Sequence, residues 1–265
     1  MELKEHKKEL IEDKELLSDV RTGDLSQKRL HRIFAVRKTF HEVSFKQSEI
    51  TECYMRNCRF IGCDFTGANI SNSNFYGSRY DDCRFEYSTW SHTLIDEEFL
   101  RNCLPSEENL ARDLTRSLRV NFSQIGNYSA VNKAASIEVK LTGEHLFNAA
   151  YSRQSHYRKK HKGWKRVGYG LSHARWKTLD LLWGNGESLR RIFVTSLAII
   201  VVAAIFLAWG STKYNWSSAL GTATTAFWGI QNDSLPWSYL VSVTVARYIL
   251  AGLFLAVLIK RLSRR

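Results

Sequence analysis

Between Asn215 and Trp237 the chain places hydroxyls on Thr222, Thr224 and Thr225, amides on Gln231 and Asn232, and a carboxylate on Asp233. The rest of that segment is small or aromatic. Oxygen groups of this kind can stand in for the hydration shell of a passing ion. None of them has a base beside it that would make it a nucleophile. Asp233 is the only acidic residue after Glu187, and Arg247 is the one ionisable group well inside the apolar run that follows. A charge at that depth is costly and needs a partner. Two arrangements are open: an ion pair with Asp233 that braces the segment, or a ring of arginines facing a conduit and favouring anions. Other chemistry is sparse. Cys53, Cys58, Cys63 and Cys83 share one five-residue frame, which reads as packing rather than as a zinc or disulfide framework. Cys103 lies outside the frame with nothing nearby to activate it. His145, His156 and His161 do not share a metal-binding helical face, and no Ser/His/Asp, Cys/His or Gly-rich phosphate pattern stands out. The chain reads as a non-enzyme, with no cofactor and no metal centre.

Two apolar runs flank the oxygen-rich segment, Ile192 to Trp209 and about Leu235 to Ile259, each near the roughly 20 residues that cross a bilayer. The first carries no charge, whereas a packed core helix of that length would show a polar face. The segment between them is too long for a tight turn and too apolar for an ordinary outer loop. It reads as a re-entrant pore helix and loop, which requires several subunits around an axis to surround it. Arg190 and Arg191 precede the first run, and Lys260, Arg261, Arg264 and Arg265 follow the second. Both ends are therefore expected in the cytoplasm. The first 30 residues are charged and lack an apolar core, so no signal peptide is expected. Unpaired cysteines agree with a reducing compartment.

A different period rules the first half. From Phe40 to Trp90 every fifth residue is large and apolar, and two residues before each, from Val43 onward, stands a small one. Neither a helix nor a pleated strand keeps a period of five on one face. The pattern resembles the pentapeptide-repeat family, and the resemblance implies a right-handed square β-helix with four repeats per coil and both conspicuous positions pointing inward. Residues 38–97 would give near three coils. Some members imitate duplex DNA, but this stretch is short and only mildly acidic, with 6 basic against 9 acidic residues. Residues 1–37 have helix-forming composition and alternating charge and are predicted as a helical cap, or else as a helical contact between subunits.

Residues 98–187 are predicted as a helical hairpin and a basic linker. Leu110, Leu114, Leu118 and Phe122 form a stripe that ends at Gly126, and a second helix is predicted to start from a Ser129 cap. Positive charge collects toward the apolar runs: residues 98–192 hold 17 basic and 8 acidic residues, and the basic tracts include Trp164, Trp176 and Trp183. Such mixtures suit the headgroup layer of anionic lipid. Nucleic acid is the competing partner, disfavoured by the nearness of the first apolar run.

Residues 188–265, with Gly252 in the second run, resemble the two-transmembrane pore domain of the potassium-channel superfamily. The order solenoid, hairpin, pore resembles a group of bacterial channel-like proteins. The resemblance implies a filter at Thr225, Ala226, Phe227, Trp228 and Gly229, with carbonyls of Phe227 to Gly229 lining it and Gly252 as gating hinge. Only the threonine and the last glycine keep the family pattern, and Phe227 occupies a position where a Cβ disfavours the required backbone. The expectation is thus a mixed fold and a homo-oligomer, tetrameric by resemblance, in a bacterial inner membrane. It would conduct cations with weak selectivity and be regulated through its cytoplasmic solenoid by an unidentified ligand or protein. The alternatives are a membrane-depolarising effector and a non-conducting anchor.

Overall fold

The computed structural model describes residues 8–160, 162–210, 213–230 and 235–263, the side chain of His156 excepted. They divide into two compact units, the first ending at Asn148 and the second running from Ala149 to Ser263. The first begins with nine short strands: β1 (Leu10–Glu12), β2 (Val20–Arg21), β3 (Arg29–His31), β4 (Thr39–His41), β5 (Glu49–Thr51), β6 (Arg59–Ile61), β7 (Asn69–Ser71), β8 (Arg79–Asp81) and β9 (Thr89–Ser91). Odd and even strands form two parallel sheets, β1-β3-β5-β7-β9 and β2-β4-β6-β8. Isolated bridges such as Phe34 to Tyr54 and Ser44 to Asp64 join the remaining two sides. The chain therefore winds as a four-sided β-solenoid of about four coils, with residues from Val20 onward stacking on those 20 positions later.

The five-residue period produces this shape because it puts one apolar residue on the inside of every side. Phe40, Phe60 and Tyr80 stack with ring centroids 4.9 and 5.2 Å apart, and Phe45, Phe65 and Phe85 with 4.6 and 5.0 Å. The small positions carry a second ladder made of hydrogen bonds. The N–H of Cys53 donates to Ser73 Oγ at 3.0 Å, and that of Ser73 to Thr93 Oγ1 at 3.3 Å. Cys53, Cys58 and Cys63 are buried in this ladder as free thiols, as the packing reading requires.

The solenoid starts earlier than the period predicts. Residues 10–31 form β1, β2 and β3 where a helical cap was expected. Ile11, Leu16, Val20 and Leu25 pack against the core, but Leu16 and Val20 are four residues apart instead of five. β1 accordingly pairs with β3 at an offset of 19 (Leu10 with Arg29), whereas β2 pairs with β4 at 20 (Val20 with Phe40). One missing residue hides two sides from a strict five-residue frame. The alternating charges that looked like helical pairs are partners across coils, Arg32 with Glu12 and Asp13 and Lys28 with Glu9.

Helices follow: α1 (Phe99–Asn102), α2 (Glu108–Gln124) and α3 (Tyr128–Tyr151). Two successive helices stand where a hairpin was expected, and the second is capped by Asn127, whose Oδ1 accepts from the Ala130 N–H at 3.1 Å, rather than by Ser129. The buried side of α2, with Leu114, Leu118 and Phe122, joins the solenoid core. Beside these residues, Ser117, Asn121 and Gln124 stand at i, i+4 and i+7 and meet the last coil's backbone. They accept from the N–H groups of Trp90 (2.9 Å), Thr93 (2.8 Å) and His92 (3.0 Å), while Asn121 Nδ2 donates to the Thr93 carbonyl at 2.8 Å. α2 thus supplies the partners that a further coil would give and closes an edge otherwise open to association.

The second unit holds α4 (Ser155–Lys160), α5 (Trp164–Trp183), a 3-10 turn (Gly184–Gly186), α6 (Leu189–Gly210), α7 (Trp216–Trp228) and α8 (Trp237–Leu262). The basic tract therefore belongs with the apolar helices, not with the hairpin in one linker. Arg166 donates to the carbonyls of Ala150 (2.5 Å) and Ser152 (2.8 Å) at the end of α3. Trp176 and Trp183 are half-buried while Trp164 is exposed; Trp176 stacks on His173 and Trp183 packs on the core of this unit.

Asn121→Ala removes both bonds to Thr93 and leaves a buried N–H and C=O unpaired. It is expected to cost about 2–4 kcal/mol, read as a lower denaturation midpoint, with Ser117→Ala costing about 1 kcal/mol. Burial pushes the thiol of Cys53 up to about 11 and that of Cys103 to about 12. Since thiolate forms only above those values, iodoacetamide near neutral pH is expected to leave both unmodified by mass spectrometry until denaturant is added.

Candidate functional site

α6 and α8 are 22 and 26 residues long with mean hydropathy 2.7 and 2.1, enough to cross a membrane. Only 28% and 17% of their most apolar windows are buried within the chain. A core helix of a water-soluble domain would bury most of that surface. Their charged ends are tied together: Lys260 pairs with Glu187 at 2.5 Å, and Arg261 donates to the Glu187 carbonyl at 2.6 Å. The 3-10 turn before α6 bends through three left-handed residues, Gly184, Asn185 and Gly186. Next to it, Arg191 pairs with Asp180 at 2.5 Å. The basic groups before α6 and after α8 therefore share one end of the pair.

α7 lies between them in sequence and packs on both. At 13 residues it is too short to cross a bilayer. Ala219, Ala223, Ala226 and Phe227 are buried in one cluster with Ala203, Ala204 and Leu207 of α6 and Tyr239 and Val243 of α8. Alanines at this spacing let the helix approach closely, as small residues do between helices in lipid. Thr222, Thr224, Thr225, Ala226, Phe227 and Trp228, offered as pore or filter residues, all lie inside α7. The Thr224 hydroxyl donates to the Leu220 carbonyl and the Thr225 hydroxyl to the Thr222 carbonyl, both within the helix. Gln231, Asn232 and Asp233 lie outside the described residues, as does any pair of Asp233 with Arg247.

Gly229 ends α7 in the left-handed region, φ 83. The Ile230 N–H donates to the Thr225 carbonyl at 2.9 Å and the Gly229 N–H to the Ala226 carbonyl at 3.1 Å, a closure that favours glycine. Arg247, from α8, brings Nη1 to 3.5 Å from the Phe227 carbonyl. A Cβ on residue 229 would sit 2.0 Å from that nitrogen. The missing side chain is what admits the guanidinium, which also lies over the Tyr248 ring at 4.9 Å. The C-terminus of α7 carries a partial negative charge, so this arginine meets a fixed counter-charge there. Gly252 lies inside α8, exposed and with open space where a Cβ would be, so packing within the chain does not demand a glycine there.

Residues 39–89 match the family model described as pentapeptide repeats (9 copies). That stretch of the chain is a pentapeptide-repeat solenoid. No curated protein matches the chain. The pentapeptide-repeat solenoid runs beyond the matched residues at its N-terminal side, where the frame slips. Two functional groupings escaped sequence reasoning. The polar side of α2 was signalled by Ser117, Asn121 and Gln124 flanking the apolar stripe. The meeting of Gly229 with Arg247 had no local signal, because 18 residues separate them in the chain.

Arg247→Gln is expected to destabilise the detergent-purified protein and to raise protease sensitivity after Trp228. Gly229→Ala forces a left-handed alanine, costing about 1–2 kcal/mol, and displaces the arginine. The double variant should lose less than the sum of the two singles; strict additivity would mean the contact is not made.

Proposed function

We propose that the chain assembles as a homo-oligomeric ion channel, with α6 and α8 as membrane spans and α7 as a half-helix entering the bilayer from one side. The observation that carries this reading is α7 itself: a short apolar helix, between two helices of spanning length, whose carbonyl end receives an arginine from within the second span. Backbone ending inside a bilayer needs polar partners or a water-filled cavity. The neighbouring helices and Arg247 supply part of that environment, and further subunits around an axis supply the rest. Four is the number implied by resemblance to potassium channels. On this reading the basic residues before α6 and after α8 favour the cytoplasmic side for both ends and for the pentapeptide solenoid, in a bacterial inner membrane, with the solenoid as the regulatory part.

Selectivity should be weak. A potassium-type filter depends on free carbonyls beyond the half-helix and on an unneutralised helix end facing the ion. Here the Phe227 carbonyl faces Arg247, and two threonine hydroxyls are satisfied by their own helix. The same observation favours a second reading, a membrane anchor that conducts nothing and uses the solenoid as a scaffold. A channel held shut until a cytoplasmic signal opens it, and then depolarising the cell, shares the fold with the first reading and differs in regulation.

Ion flux from liposomes holding the full chain separates them. Under potassium, sodium and chloride gradients the channel reading expects cation flux with less than tenfold preference between potassium and sodium, altered by Asp233→Asn. Flux absent under all three gradients, with the protein correctly inserted and the membrane voltage swept, would favour the anchor.

A further inference from the structure

α5 has two unlike sides. Tyr169, His173, Trp176 and Trp183 are half-buried. Of these, His173 meets Tyr151 edge-on at 5.6 Å. Trp164, Val167, Leu171, Ala174, Thr178 and Leu181 recur at i, i+3, i+7, i+10, i+14 and i+17, which places them along the opposite side. All six are exposed, Trp164 at 88%, Leu171 at 69% and Leu181 at 74%. From Arg153 to Leu179 the chain has nine Lys or Arg and no Asp or Glu. Lys165, Arg175 and Lys177 on α5 are exposed and make no ion pair among the described residues. At its far end the apolar side is continuous with the candidate spans: Leu181 and Leu182 line one groove with Val194, Ala198 and Phe206 of α6. The last turn of α5 is pinned there by the Thr195 hydroxyl, which donates to the Leu182 carbonyl at 2.8 Å.

We propose that this side of α5 lies on the bilayer as an interfacial helix, its apolar stripe in the boundary between headgroups and acyl chains and its lysines and arginines on anionic phospholipid. The proposal rests on the reading of α6 and α8 as membrane spans. Charge and continuity select lipid over another occupant. An uncompensated basic tract repels a second copy of itself and attracts an anionic surface, and the apolar side merges with the exposed apolar surface of α6, which on this reading faces acyl chains. Trp164 at the start and Leu181 at the end would both reach the boundary, while Trp176 and Trp183 hold the helix to the unit. α5 would then fix the depth and rotation of α6.

The test uses the full chain in phosphatidylcholine vesicles, with and without phosphatidylglycerol, carrying a nitroxide on Leu171→Cys. Phe206→Cys serves as a span control and Asp113→Cys as an exposed control in α2. Access of oxygen against a water-soluble chromium complex reports lipid against water at each site. Expected are lipid-like access at Phe206, water-like access at Asp113, and shallow lipid-like access at Leu171. Phosphatidylglycerol should deepen the Leu171 site, and Arg175→Gln/Lys177→Gln, which flank the apolar side, should abolish that dependence. Water-like access at Phe206 overturns the membrane reading itself. Lipid-like access at Phe206 with water-like access at Leu171 overturns the proposal alone, as does a Leu171 site shielded from both reagents, the signature of a second protein chain on this face.

Discussion

An interrupted backbone must find partners for its N–H and C=O groups, and both units of this chain are organised by how that demand is met at an end. Within the solenoid each coil supplies its neighbours, so the cost falls on the end coils, of which the last is closed by α2. There the side chains of Ser117, Asn121 and Gln124 replace the missing strand. In the second unit the interrupted element is α7, and the groups left at its carbonyl end are met by the Gly229 turn and by Arg247. In each case a side chain from a neighbouring helix completes a backbone pattern that its own element cannot finish.

Each closing device follows from packing that the sequence specifies for other reasons. α2 can present Asn121 to Thr93 only because Leu114, Leu118 and Phe122 seat it on the aromatic core of the solenoid. Arg247 can reach the Phe227 carbonyl only because alanines draw α7 close and because residue 229 has no side chain. Removing a capping group therefore leaves the apolar packing in place but strands polar backbone, which is the costlier half of a broken hydrogen bond.

Much of this was legible in the residues. The five-residue recurrence from Phe40 to Trp90 determines the side length, and the family resemblance it carries implies the stacking and the inward thiols. The hairpin, its Leu114 to Phe122 stripe and both apolar helices were legible for the same reason, an uninterrupted period. The misses share a physical cause as well. The four-residue step from Leu16 to Val20 breaks the frame, so the first coils looked like a charged helix. Filter residues sought by likeness to Thr-Val-Gly-Tyr-Gly fall inside α7, because Thr, Ala, Phe and Trp continue a helix that only Gly229 can end. Contacts between residues far apart in sequence, such as Arg247 with Gly229, leave no local trace.

The central claim is that α6 and α8 cross a bilayer in opposite directions with the α7 segment on the far side from their basic ends. Labelling by a membrane-impermeant maleimide in intact cells tests it directly, using single cysteines at Lys213, ahead of α7, and at Ser263, after α8. The account predicts that Lys213→Cys reacts from outside while Ser263→Cys reacts only after permeabilisation. Equal labelling of both positions before permeabilisation, or recovery of the chain in the soluble fraction, would contradict it.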